Sequence, residues 1–198
     1  LMSLQENSNS YYWSFKSDKV NDYAYWDNFL TKEECKQIVL LGKSKVLKKA
    51  NTANNNKNKT RDSNVSWLAP SDNLHWLYRR LTDTITSLNN RFFGFDLHGF
   101  AEGLQFTNYK APDGKYNTHI DRAFNWQVRK LSITIQLSNP NDYEGGNLEL
   151  INGDKPIICE KQQGKLYAFP SFMLHRVTPV TKGERNSLVA WITGNSFK

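Results

Sequence analysis

A chain of 198 residues with 38% apolar and 13% aromatic content can bury a full hydrophobic core as a single domain, without disulfide or metal staples. Its net charge of +7 is local: eight Lys or Arg and no acid lie between Cys35 and Arg61, while the remainder carries 18 basic and 19 acidic residues, and no nucleic-acid-binding motif accompanies the basic run. There is no apolar run of membrane-spanning length and no basic-then-apolar leader, and Cys35 and Cys159 fit neither a zinc spacing nor a disulfide framework, so the expectation is a cytoplasmic, intracellular protein with free thiols.

In chain order, the first element is a helix opened by Thr31-Lys-Glu-Glu34, a capping box, with Cys35, Ile38, Val39 and Leu41 on its turns and Gly42 as its stop. The basic segment 43–61 follows. Its centre, Ala50 to Thr60, is polar, low in complexity and without periodicity, and reads as a long loop. Two readings stay open for it: a solvated connection, or a lid that steers an acidic or polyanionic substrate. Ser71 then caps a second helix, in which Leu74, Leu77, Leu81, Ile85 and Leu88 recur at three and four residues and form one apolar stripe. His75 in that helix and His98 after it have no partner nearby in sequence and read as surface or structural residues.

From Leu104 onward the period shifts to two, in short segments broken by Gly, Pro, Asn and Asp. Leu131, Ile133, Ile135 and Leu137 alternate strictly with Ser132, Thr134 and Gln136, which marks a strand with an apolar face and a polar face able to line a site. Helices followed by eight or so short strands point to a mainly β fold with N-terminal helices. Two sheets would curl into a jelly roll buttressed by those helices. The expected organisation is one domain over residues 1–198, with a helical support region at 20–99 and a β core at 100–194.

The chemistry concentrates in that core. His119 and Asp121 are two apart and share a face if their strand runs through both; His175 lies on a later apolar segment. Two imidazoles and a carboxylate form the ligand set of a non-haem Fe(II) site with open positions. Taken singly, each is weak, since a His-x-Asp arises by chance and His175 alone would suit a core strand. Lys182-Gly183 reads as the turn into a last strand whose Arg185, Ser187, Val189 and Trp191 share one face. The guanidinium fork of Arg185 suits one end of a dicarboxylate whose other end chelates the metal.

Several segments carry a resemblance in their joint order: Asn117-Thr-His-Ile-Asp121, Leu131-Ser-Ile-Thr-Ile-Gln-Leu137, Tyr143-Glu-Gly-Gly-Asn-Leu-Glu-Leu150, Phe169-Pro-Ser-Phe-Met-Leu-His175-Arg-Val-Thr-Pro179 and Gly183-Glu-Arg-Asn-Ser-Leu-Val-Ala-Trp191. Over residues 100–194, with a looser echo at Trp26 to Cys35, the chain resembles the Fe(II)/2-oxoglutarate-dependent dioxygenases of prolyl-hydroxylase type. The resemblance implies the double-stranded β-helix, or cupin-like jelly roll, with Fe(II) on His119, Asp121 and His175. It implies Arg185 on the distal carboxylate of 2-oxoglutarate, Ser187 and Tyr109 assisting, Leu148 padding the cosubstrate and Trp191 flooring the same face. Gln136 stands where related prolyl hydroxylases often carry an aromatic residue, so this pocket wall differs. Oxygen is the second cosubstrate and ascorbate a possible reductant for the iron. The implied reaction hydroxylates a C–H bond, foremost in a prolyl residue of a peptide or protein, and releases succinate and CO2. The basic segment and the stretch Arg122-Ala-Phe-Asn-Trp126 beside the metal ligands are candidates to hold an extended chain. A free amino acid, another small molecule or a nucleobase remains open as substrate, as does a non-catalytic jelly-roll binding protein.

Overall fold

The computed structural model describes residues 20–45, 47–50, 60–121 and 128–196; the centre of the basic segment and the stretch Arg122–Trp126 lie outside them. In chain order the elements are β1 (Ala24–Trp26), α1 (Lys32–Ser44), β2 (Lys48–Lys49), β3 (Arg61–Asp62), β4 (Asn64–Leu68), α2 (His75–Leu88), β5 (Leu97–Phe100), β6 (Leu104–Lys110) and β7 (Lys115–His119). They continue with β8 (Arg129–Gln136), β9 (Tyr143–Gly145), β10 (Leu148–Ile151), β11 (Ile157–Ile158), β12 (Leu166–Pro170), β13 (Leu174–Val177) and β14 (Val180–Gly194). The larger sheet runs β1-β12-β8-β14-β6-β4-β2, with β5 and β9 each added onto β14; the smaller runs β11-β10-β13-β7-β3. All strand pairs are antiparallel, and the two faces form the expected jelly roll.

The alternation in β8 explains why the larger sheet is buried on both sides. Leu131, Ile133 and Ile135 pack with Leu104, Phe106, Leu188, Ala190 and Ile192 against the apolar stripe of α2 and against Cys35 and Ile38 of α1. The intervening residues of the same strands face the smaller sheet, where a second core of Tyr109, Tyr143, Leu148, Leu150, Tyr167, Phe169 and Val177 forms. Helices, larger sheet and smaller sheet are therefore three layers, and the polar alternates of the middle layer point into the interior of the roll. Among the described residues no helix is long and apolar enough to cross a membrane.

Five details correct the sequence expectations. The region 20–99 is not purely helical, because β1 to β4 and the start of β5 lie within it and extend both sheets. The segment 43–61 is not wholly a loop: Lys43 is in α1, Lys48–Lys49 pair with β4, and Arg61–Asp62 pair with β7. Gly42 does not end α1, which continues to Ser44; it is the point where the helix presses on β6, since a Cβ there would lie 2.3 Å from Phe106 Cγ. Lys182-Gly183 is a bend within one unbroken 15-residue strand. Gly183 takes φ +71° there, and β14 changes partner from β9 to β6 and β8. Ser71 stands where it was expected but makes no side-chain capping bond, and a single tight turn, Asp72–Leu74, separates it from α2.

The capping box is present, with Glu34 N–H donating to Thr31 Oγ1 at 3.1 Å and Thr31 N–H donating to Glu34 Oε2 at 2.9 Å. Arg80 of α2 donates to both Glu34 oxygens, at 2.8 and 2.9 Å, and ties the two helices together. That bond, aided by the cap, holds the Glu34 carboxyl below its ordinary value despite partial burial. The contribution is present above the unfolded carboxyl pKa of 4.5 and is lost as pH falls through the lower folded value. Because Arg80 is 41% exposed, Glu34→Gln should destabilise by only about 1 kcal/mol near neutrality. The gap between the two proteins in urea unfolding should close as pH falls through the lowered Glu34 value.

Candidate active site

β7 and β13 are neighbours in the smaller sheet, and His119 lies directly opposite His175. β7 ends at His119, so Asp121 is not carried by the strand as expected. It is held instead by its N–H, which donates to the Ser171 carbonyl at 2.9 Å. The three side chains nevertheless converge: His119 Nε2 is 3.5 Å from Asp121 Oδ1, and His175 Nε2 is 3.4 Å from Asp121 Oδ2. Each imidazole donates from Nδ1 to a backbone carbonyl two residues upstream, His119 to Asn117 at 2.7 Å and His175 to Met173 at 2.9 Å. The lone pairs on both Nε2 atoms are thus directed at one point beside a carboxylate.

Electrostatics agree with that geometry. Burial works against ionisation of Asp121, but the opposing influence of His175 and His119 prevails and holds the carboxyl below its ordinary range. Ser132 Oγ donates to Asp121 Oδ2 at 2.8 Å and is itself 2.9 Å from Ser171 Oγ. The buried Trp191 indole N–H also favours the carboxylate, although among the described residues it meets no partner within hydrogen-bond geometry. Burial pushes His175 below the ordinary imidazole value, outweighing the attraction of Asp121. A carboxylate with two imidazoles, all donor atoms within 4.8 Å of one another, fits a divalent cation of the Fe(II) kind.

The three candidate ligands line one wall of a cavity between the sheets. At its other end lies Arg185, only 1% exposed. Its Nη2 donates to Gln136 Oε1 at 3.0 Å and its Nη1 to Ser187 Oγ at 3.3 Å, while Nε has no partner among the described residues. Among the described residues no carboxylate pairs with it. A buried guanidinium without a counter-charge is costly unless an anion completes it. The donor-rich end of the cavity therefore fits a carboxylate supplied from outside the chain.

Tyr109, Leu148, Ser187 and Trp191 line the same cavity, with the Arg185 guanidinium 5.4 Å from the Tyr109 ring centroid. Gln136 is reached through Arg185 and lies outside the lining. Trp191 stands at the metal end, beneath the Arg129 guanidinium at 4.0 Å. Arg129 also donates to Glu102 and, weakly, to the Asp121 carbonyl at 3.4 Å. His75 and His98 are exposed and away from the cavity.

Thr134, on the polar face expected to line a site, does line the cavity, whereas the sequence reading missed Arg61, Gln105, Tyr116 and Val177. The Tyr116 ring stacks on His119, with centroids 3.5 Å apart, and the Arg61 guanidinium lies over the Tyr116 ring at 4.6 Å. Burial pushes the Tyr116 hydroxyl up to about 12. Arg61 is further fixed by donating to Ser63 Oγ at 2.8 Å and to Gln105 Oε1 at 2.9 Å. Of the basic segment, Lys43 pairs with Glu184 at 2.5 Å and Lys49 with Asp62, so Arg61 is the member that reaches the cavity among the described residues. Both cysteines are free and buried, and burial pushes their thiols up to about 12.

Residues 104–193 match the family model described as the 2OG-Fe(II) oxygenase superfamily. A PKHD-type hydroxylase of Synechococcus sp. (strain CC9311) is 40% identical over 81 residues, which is 40% of this chain and 37% of that protein. One from Prochlorococcus marinus (strain MIT 9211) is 39% identical over 101 residues, 50% of this chain and 44% of that one. The chain thus spans less than half the length of these curated relatives. Among solved structures, a Pseudomonas putida prolyl-4-hydroxylase superposes with a TM-score of 0.71 at 21% identity, covering 88% of this chain and 94% of that one. A Trichoplax adhaerens prolyl hydroxylase in complex with a hypoxia inducible factor peptide fragment gives 0.74 at 22% identity, covering 88% and 84%. At these identities the structural likeness establishes the fold.

Proposed function

We propose, on the premise that residues 104–193 match the 2OG-Fe(II) oxygenase superfamily model, that the chain is an Fe(II)- and 2-oxoglutarate-dependent dioxygenase that hydroxylates prolyl residues of a peptide or protein. The observation that carries this reading is the pairing of two complementary ends in one cavity: the His119, Asp121 and His175 donor set, and the buried, carboxylate-free Arg185. His119, Asp121 and His175 would hold Fe(II). With 2-oxoglutarate and O2 the metal supplies oxidative decarboxylation to succinate and CO2, coupled to oxygen insertion at a C–H bond.

The chain's own residues place and protect that chemistry. The carbonyls of Asn117 and Met173 fix each imidazole with Nε2 free. Ser132 steadies Asp121 in its ionised form. Arg185 binds the distal carboxylate with Ser187 beside it, Tyr109 forms the wall, and Leu148, Val177 and Val189 exclude water from the middle of the cavity. A peptide substrate is favoured by the hydroxylases this chain is similar to, one of which was solved with a peptide bound. It is also favoured by the aromatic and arginine groups at the metal end, where Trp191, Tyr116, Arg61 and Arg129 offer a face for an apolar ring and donors for backbone carbonyls.

The test is incubation of the full chain with Fe(II), 2-oxoglutarate and ascorbate in the presence of a proline-containing peptide library. Succinate is quantified and peptides are mapped by fragmentation mass spectrometry. Peptide-stimulated succinate with one added oxygen on proline is expected. Succinate without peptide modification would turn the substrate toward a small molecule, and neither metal binding nor succinate would leave a binding protein.

A further inference from the structure

We propose that Gln136 is a positioning residue for Arg185, holding the guanidinium so that its remaining donors face the cavity while leaving its charge intact for the cosubstrate. The inference rests on the assignment of Arg185 as the anchor of a distal carboxylate. A guanidinium offers five N–H donors in a rigid plane, and the direction of its fork is set by whichever acceptors touch it. Among the described residues the acceptors at its tips are neutral: Gln136 Oε1 at 3.0 Å from Nη2 and Ser187 Oγ at 3.3 Å from Nη1, with the Tyr143 hydroxyl a further uncharged neighbour.

Gln136 is itself immobilised. It is 2% exposed, its N–H donates to Lys165 O at 3.0 Å, its carbonyl accepts from Gly164 N–H at 2.7 Å, and it sits opposite Ser187 in the β8/β14 register. It does not line the cavity, so its effect on a bound carboxylate runs through Arg185. The choice of an amide matters. A carboxylate at this position would form a buried ion pair with Arg185 and compete with the incoming anion. An apolar side chain would leave the fork free to turn. The amide orients the cation without neutralising it.

Binding to the Mn(II)-loaded full chain can be measured by water proton relaxation and calorimetry for two probes, 2-oxoglutarate and 2-oxobutyrate, the second lacking a distal carboxylate. For 2-oxoglutarate, Gln136→Met should weaken binding roughly 10-fold and Gln136→Glu on the order of 100-fold, the range expected when a buried charge contact is misaligned or pre-empted. For 2-oxobutyrate both variants should match the wild type, and Mn(II) affinity should be unchanged in both.

Unchanged 2-oxoglutarate affinity in Gln136→Met would overturn the inference while leaving the functional reading intact. Equal losses for both keto acids would also overturn it, because they would reveal general damage to the cavity. If wild-type protein binds Mn(II) but neither keto acid, the assignment of Arg185 fails and the inference falls with it.

Discussion

Arg185→Ala is expected to abolish useful 2-oxoglutarate binding while leaving metal binding nearly intact. The side chain is fully buried, so its interaction with an anion is not screened by solvent, and removal of one partner from such a pair costs about 2 to 5 kcal/mol. At about 1.4 kcal/mol per factor of ten, the dissociation constant should rise by roughly 30-fold to several thousand-fold. Arg185→Lys should recover only part of this, because an ammonium cannot present the forked pair of donors and loses the geometry set by Gln136 and Ser187. Calorimetry with Mn(II)-loaded protein decides the matter; an unchanged dissociation constant in the alanine variant removes Arg185 from the cosubstrate site.

His175→Ala should lower Fe(II) or Mn(II) affinity by more than about 100-fold, since loss of a direct ligand should exceed the 10- to 100-fold cost of disturbing its outer partners. The imidazole is one of only two nitrogen donors in the cluster and is 6% exposed, so no neighbouring side chain among the described residues can replace it. Metal titration followed by fluorescence or relaxation measures the change. Equal affinity in wild type and variant would dissolve the assignment of the cluster, and a parallel circular dichroism spectrum shows whether the sheet has survived.

The parts of this fold that were legible in sequence are those where one physical pattern repeats. Leu131 to Leu137 alternate because their strand lies in the middle of three layers, and the polar alternates Ser132, Thr134 and Gln136 do face the interior where Asp121, the cavity and Arg185 lie. The same reasoning placed Arg185, Ser187, Val189 and Trp191 together on the cavity wall. Strands β1 to β4 escaped because they are two to five residues long and too short to express a period. Gly42 was read as a stop from residue type alone, although its role is set by Phe106, 64 residues later. Arg61 and Tyr116 were hidden for a similar reason: a cation in a basic run and an aromatic in a strand carry no mark of the stack they form over His119.

The placement of His119 opposite His175 governs how the protein should behave when its metal is taken away. The two rings are paired by sheet register and oriented by main-chain carbonyls, and the hydrophobic layers that stabilise the roll are built from residues other than the three ligands. If these three residues hold the ion, their shell should be assembled before it arrives, unlike a zinc finger, where the ion organises the chain. Chelation should strip the protein without melting it. The apo form should refold from urea unaided, and the melting temperature should differ from that of the metal-loaded form only by the mass-action increment of ligand binding. Such a protein can lose and regain iron repeatedly as the supply fluctuates, with its architecture held in reserve by the sheets.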